Sequence, residues 1–141
     1  KLGFSRQKAW RIIKRLEKTK EIWGYTTIVD QEKSDWETFL LLIKSKSPHS
    51  DFIKKVLNQV KKSEEAEVDI IDVFFLHGSF DWFVMFSGEN IKKAQRFMGF
   101  LEKNYGDYLL NIKLHENIFP LMKGGKLNPN VDEINEFSVN T

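Results

Sequence analysis

Two clusters in this 141-residue sequence carry side chains suited to chemistry. The first runs from Ser5 to Lys18. At 3.6 residues per turn, Ala9, Ile12, Ile13 and Leu16 share one helical face. Gln7, Trp10, Arg11, Lys14 and Lys18 occupy the opposite face, with Arg6 at the N-terminal shoulder. Guanidinium and ammonium groups interleaved with an indole and an amide suit a polyanion. Arg11, Lys14 and Lys18 are placed to reach phosphates, and Arg6, Gln7 and Trp10 to approach base edges near the helix start. Ser5 is a good N-cap, its hydroxyl accepting from a first-turn amide. A solvated Lys/Arg face is the alternative reading. The second cluster is His77-Gly78-Ser79-Phe80-Asp81-Trp82. Here a Gly turn brings backbone amides to the surface, Asp81 can accept from an ammonium group, and Phe80 and Trp82 can wall an apolar pocket. A hairpin turn whose Asp caps its own backbone accounts for the same residues.

Other chemistry is excluded or weak. With no cysteine there is no disulfide, thiolate zinc site, iron–sulfur cluster or cysteine nucleophile. His49, His77 and His115 have no close ligand spacing, so no catalytic metal site is expected. His77 near Asp81 is a conceivable base and orienter, but Ser79 lacks the context of an activated nucleophile. Gly124-Gly125-Lys126 matches only the end of a phosphate loop. No enzyme and no cofactor are expected. No run approaches the roughly 20 apolar residues of a membrane span, and the expected location is the cytoplasm.

Charge divides the chain. The net charge of +2 combines a basic head, with eight basic side chains and one acid in residues 1–20, with a body holding fourteen basic and nineteen acidic residues. A polyanion-binding element joined to a domain with another task has this pattern.

The elements that must position these residues follow from periodicity. After the first helix, Ile22-Trp23-Gly24-Tyr25 leads into Thr26 to Asp30, whose β-branched content predicts a strand. Polar residues 31–36 read as a linker. Phe39 to Ile43 is a strand-length apolar run, and Phe52, Ile53, Val56, Leu57 and Val60 repeat at helical spacing after a Pro48-His49-Ser50-Asp51 start. Val68 to Leu76 and Phe80 to Phe86 read as an antiparallel pair, with a bulge expected at Ile70-Ile71. Ile91, Ala94, Phe97, Met98 and Leu101 mark another helix, expected to close at Gly106 in the left-handed conformation. Leu109 to Phe119 is a last strand, and residues 124–141 read as a loosely packed polar tail. The order β-α-β-β-α-β predicts an α+β ferredoxin-like sandwich over residues 37–123.

In this order and spacing, Ser5 to Glu17, Ile22 to Thr26 and Gly78-Ser79-Phe80-Asp81-Trp82 resemble three parts of the Lrp/AsnC family of transcription regulators. These are its recognition helix, the strand leaving that helix, and the Gly-x-x-Asp turn of its sensing domain. The resemblance spans about residues 3 to 122 and implies a winged helix-turn-helix head, here residues 1–30, joined to an ACT-like sensing domain. It implies double-stranded DNA as partner of Ser5, Arg6, Gln7, Trp10, Arg11, Lys14 and Lys18. It further implies an amino-acid effector at Gly78, Ser79, Phe80, Asp81 and Trp82, and a homodimer or higher homo-oligomer. The family's head has two helices before the recognition helix, whereas this chain starts at Lys1. The expectation is therefore a fragment with an uncovered apolar stripe and weak, salt-sensitive DNA binding. A stand-alone small-molecule-binding or assembly module, its basic helix serving subunit packing, is the alternative.

Overall fold

The computed structural model describes residues 3, 5–30, 32–46, 50–62 and 66–137. Pro48, His49, Gln31 and residues 138–141, each part of an expectation above, lie outside the described residues.

Alternating hydrophobicity builds the sheet. In β1 (Glu37–Ser45), Phe39, Leu41 and Ile43 point inward and are fully or almost fully buried, while Leu40, Leu42 and Lys44 between them are half-buried. β1 pairs antiparallel with β3 (Trp82–Gly88) on one side and with β4 (Leu109–Asn117) on the other. β2 (Asp69–Phe75) pairs with β3, so the spatial order is β2-β3-β1-β4. The register of β2 slips between Ile70 and Asp72, the irregularity expected from the Ile70-Ile71 doublet.

Two amphipathic helices cover the inward face. α2 (Ser50–Val60) buries Phe52, Ile53, Val56 and Val60, and α3 (Ile91–Tyr105) buries Ala94, Phe97, Leu101 and Tyr105. Asn90 caps α3 by accepting from the Lys93 amide at 3.2 Å. Edge contacts fix this packing: Phe97 of α3 meets Phe86 of the sheet at 4.9 Å, and Phe52 of α2 meets Tyr105 of α3 at 5.3 Å between ring centroids. The body is thus the α+β ferredoxin-like sandwich expected from its element order.

Three local expectations are corrected. No strand forms at Thr26 to Asp30; residues 22–30 carry no regular secondary structure. Their β-branched residues favour extended backbone, but a strand needs a neighbour to hydrogen-bond with, and the described sheets supply none there. Gly106 does not close α3 in the left-handed conformation. It is right-handed at φ −53°, and the chain tightens into a 3-10 turn, Gly106–Tyr108, running directly into β4. The last segment is polar but not structureless: β5 (Met122–Lys123) and β6 (Lys126–Leu127) form a hairpin, followed by a 3-10 helix, Val131–Phe137. Gly124 and Gly125, at φ +51° and +74°, supply the two left-handed residues this tight turn needs, so Gly124-Gly125-Lys126 is turn chemistry. Phe137 returns to Phe119 at 5.4 Å, anchoring the segment.

Candidate functional sites

The head helix α1 (Arg6–Lys18) starts as expected, with the Ser5 hydroxyl accepting from the Lys8 amide at 3.3 Å. At its far end Thr19 caps the Arg15 carbonyl, and Lys20 takes a left-handed φ of +60° that turns the chain out of the helix. No residue of α1 is fully buried: Ile12 and Leu16 are half-buried, and Ala9 and Ile13 are exposed. The apolar stripe is largely uncovered.

On the opposite face Arg6, Gln7, Trp10 and Arg11 line one shallow cavity of about 460 Å³, and Trp10 is 60% exposed. Four of the seven nominated head residues are therefore brought together. Lys14 lies further along the face, where its ammonium bonds Glu17 at 2.7 Å. The Tyr25 hydroxyl donates to the other oxygen of the same carboxylate at 2.9 Å. Glu17 thereby joins α1 to the segment that follows it. The Lys14 ammonium and then the Tyr25 hydroxyl hold its carboxyl below the usual carboxylate range, and the same contacts raise Lys14 and Tyr25. Lys18 is exposed in the last turn, where a cation complements the helix dipole.

The second cluster sits where β2 turns into β3. Leu76 donates to the Asp81 carbonyl at 2.7 Å, and the Asp81 amide donates to the Ile43 carbonyl at 2.9 Å, so the turn is tied to the end of β1. Gly78 and Ser79 form its exposed tip. Asp81 points inward and is buried; one carboxylate oxygen takes the Lys44 ammonium at 2.8 Å, the other the Ser45 amide and hydroxyl at 2.9 Å each. Lys44 first, then the Ser45 amide, hold this carboxyl below its ordinary range against the opposing effect of burial. The ammonium that Asp81 holds here is the chain's own. Trp82 is buried, its ring 4.5 Å from that of Phe75, and its indole N–H is buried without a hydrogen-bond partner. Phe80 is half-buried under the Lys113 ammonium, 5.6 Å from the ring centroid.

Lys44 and Ser45 were missed in the sequence because they end a strand read only as core. At the other end of β1, two adjoining clefts also went unnoticed. One, of about 430 Å³, lies against Asp30, Trp36, Glu37, Glu89 and Glu116; the other, of about 580 Å³, lies between Ile28, Val29 and the β5–β6 hairpin. Their walls are far apart in the chain, so no local motif announces them. Among the described residues no group of three or more His, Asp or Glu side chains is placed to hold a metal. None of the described helices is long and apolar enough to cross a membrane.

No protein-family model matches the sequence, and no curated protein is significantly similar to it. Solved structures do match. PH0061 is 24% identical with a TM-score of 0.66, covering 84% of this chain and 76% of its own. The AsnC family transcriptional regulator from Agrobacterium tumefaciens is 16% identical with a TM-score of 0.64, covering 89% and 79%. The feast or famine regulatory protein Rv3291c from M. tuberculosis, complexed with L-methionine, is 12% identical with a TM-score of 0.68, covering 88% and 79%. At these identities, what the chain shares with the Lrp/AsnC-type regulators is their fold.

Proposed function

We propose that the protein is a DNA-binding transcriptional regulator of the Lrp/AsnC type, working in the cytoplasm as a homodimer or higher assembly and without enzymatic activity. The observation that carries this reading is the exposed face of α1. Arg6, Gln7, Trp10 and Arg11 stand side by side on open surface near a capped helix start, where a major-groove helix presents its base-reading residues. Lys14 and Lys18 extend that face toward phosphates, and Ser5 completes its N-terminal end. The likeness in fold to regulators supports the same reading.

Two features support self-association. The sheet face away from the helices carries an apolar patch, with Leu40, Leu42, Phe83 and Met85 half-buried and Phe74 53% exposed, flanked by Asp72, Lys113 and His115. Residues 22–30 leave Trp23 95% and Tyr25 73% exposed on backbone that no strand pairs. A second copy covers the sheet face and the rings of Trp23 and Tyr25, and leaves Ile28 and Val29 open beside the hairpin. The turn Gly78, Ser79, Phe80, Asp81 and Trp82 is the proposed effector site. There the exposed amides at Gly78 and Ser79 receive an amino-acid carboxylate, and the ligand's ammonium competes with Lys44 for Asp81.

Fluorescence anisotropy of a labelled duplex across a salt series tests the DNA reading. Binding is expected to be weak and to fall steeply with salt, and Arg11→Ala and Lys14→Ala should each reduce the log–log slope by about one unit. A salt-indifferent isotherm, or slopes untouched by both substitutions, overturns the proposal. A change of mass by light scattering in Ile12→Glu would then identify α1 as a packing element.

A further inference from the structure

The larger of the two clefts opposite the sensing turn has the composition of a ligand site. Its volume of about 580 Å³ lies in the range that encloses a small organic molecule. Ile28, Val29 and Leu127 line it while remaining 50%, 53% and 61% exposed, an apolar wall open to solvent. Pro120 and Pro129 complete that wall, and Lys33, Lys123 and Lys126 surround it against one acid, Asp30. The adjoining cleft has the opposite character: Asp35, Glu37, Glu89 and Glu116 line it, and the two share Asp30, Pro120 and Lys123. Lys33 and Lys126 belong only to the larger cleft, so a negative group is favoured in it and repelled from the other.

The walls are built. Asn128 fastens the far side of the hairpin, its amide donating to the Leu121 carbonyl at 2.9 Å and its side chain to the Pro120 carbonyl at 2.8 Å. The Lys123 ammonium reaches the Val29 carbonyl at 3.4 Å. A Cβ at Gly124 would stand 2.9 Å from Ile28 Cδ1, so that glycine lets the hairpin turn approach the segment leaving the head.

We propose that this cleft binds a small amphipathic anion, a carboxylate on a short aliphatic or aromatic body. The apolar part lies against Ile28, Val29, Leu127 and the two prolines, and the carboxylate between Lys33 and Lys126. Such a ligand bridges the segment that follows α1 and the C-terminal hairpin. Its effect on where α1 is held rests on the DNA-reading proposal; the binding itself does not.

Calorimetric titration of the full chain with sodium octanoate, beside its neutral counterpart octanamide, tests the site without DNA. Octanoate is expected to bind about tenfold more tightly than octanamide, and Lys33→Gln/Lys126→Gln to remove that preference. Hydrogen exchange on the unaltered chain with octanoate should show new protection at Ile28, Val29 and residues 122–128. The proposal is overturned by an absence of octanoate binding, by equal affinity for the two ligands, or by protection confined to Leu42, Phe83 and the open sheet face. It also fails if these segments are already protected without octanoate in proportion to protein concentration, since a second copy then fills the cleft.

Discussion

At the scale of single residues, Asp81 has the clearest consequence. Its carboxylate is buried and answers three donors from the end of β1. Asp81→Asn removes the charge that Lys44 pairs with, and a loss of about 2–3 kcal/mol in urea unfolding at neutral pH is expected. Because the folded-state pKa is depressed, this contribution is present above the ordinary value of 3.8 and is lost as pH falls through the folded value. The difference between the two proteins should therefore be large at pH 7 and shrink on the acid side of 3.8. If Asp81→Asn unfolds at the same urea concentration as the parent at pH 7, the carboxylate is not a pin. Glu17 makes a second, functional prediction: it holds Lys14 on the face assigned to DNA. Glu17→Gln should free that ammonium, remove a like charge from the phosphates, and tighten duplex binding at low salt by roughly two- to fivefold. Weaker binding would show that the Glu17 link to Tyr25 positions the helix instead. The sequence showed Asp81 as an acceptor but not its partners, because Lys44 and Ser45 reach it through sheet pairing from 37 and 36 positions away.

Elements were legible where their own periodicity decides them. Phe39, Leu41 and Ile43 alternate, and Ala94, Phe97 and Leu101 repeat at helical spacing, so the strand and the helix follow from residues within each segment. Burial of these side chains is substantial: Phe97→Ala should lower stability by about 3–5 kcal/mol, read as a shift in the urea midpoint at unchanged slope. Legibility failed where the outcome depends on something outside the segment. Thr26 to Asp30 has strand-forming residues but no strand beside it. Gly106 has the freedom to turn left-handed, yet α3 passes into a right-handed turn whose Tyr108 carbonyl accepts from the Lys46 amide at 2.9 Å, a contact no local rule foresees. The hairpin at Gly124-Gly125 was hidden by polar composition, although two adjacent glycines are themselves a turn signal.

At the scale of the whole molecule, the division into a basic head and a mildly acidic body is carried by charge, and the body's architecture by element order. The open sheet face appears only once the strands are paired, because Leu42, Phe83 and Phe74 come from three strands and meet through register. Phe83→Asp on that face should convert a dimer to monomer in sedimentation while preserving the helical signal; an unchanged mass would place the interface elsewhere. The passage from α3 into β4 also sets how this protein can vary in length. With Gly106–Tyr108 wound tightly and Tyr108 fastened to Lys46, there is no slack between the helix and the strand. One residue inserted there would exchange the two faces of β4, turning Ile112 and Leu114 outward and Lys113 and His115 into the core. The exposed tip at Gly78 and Ser79 carries no such constraint on its side chains. Evolution is thus free to lengthen this domain at the β2–β3 turn and is held to a fixed count at the α3–β4 crossover beside the same end of β1.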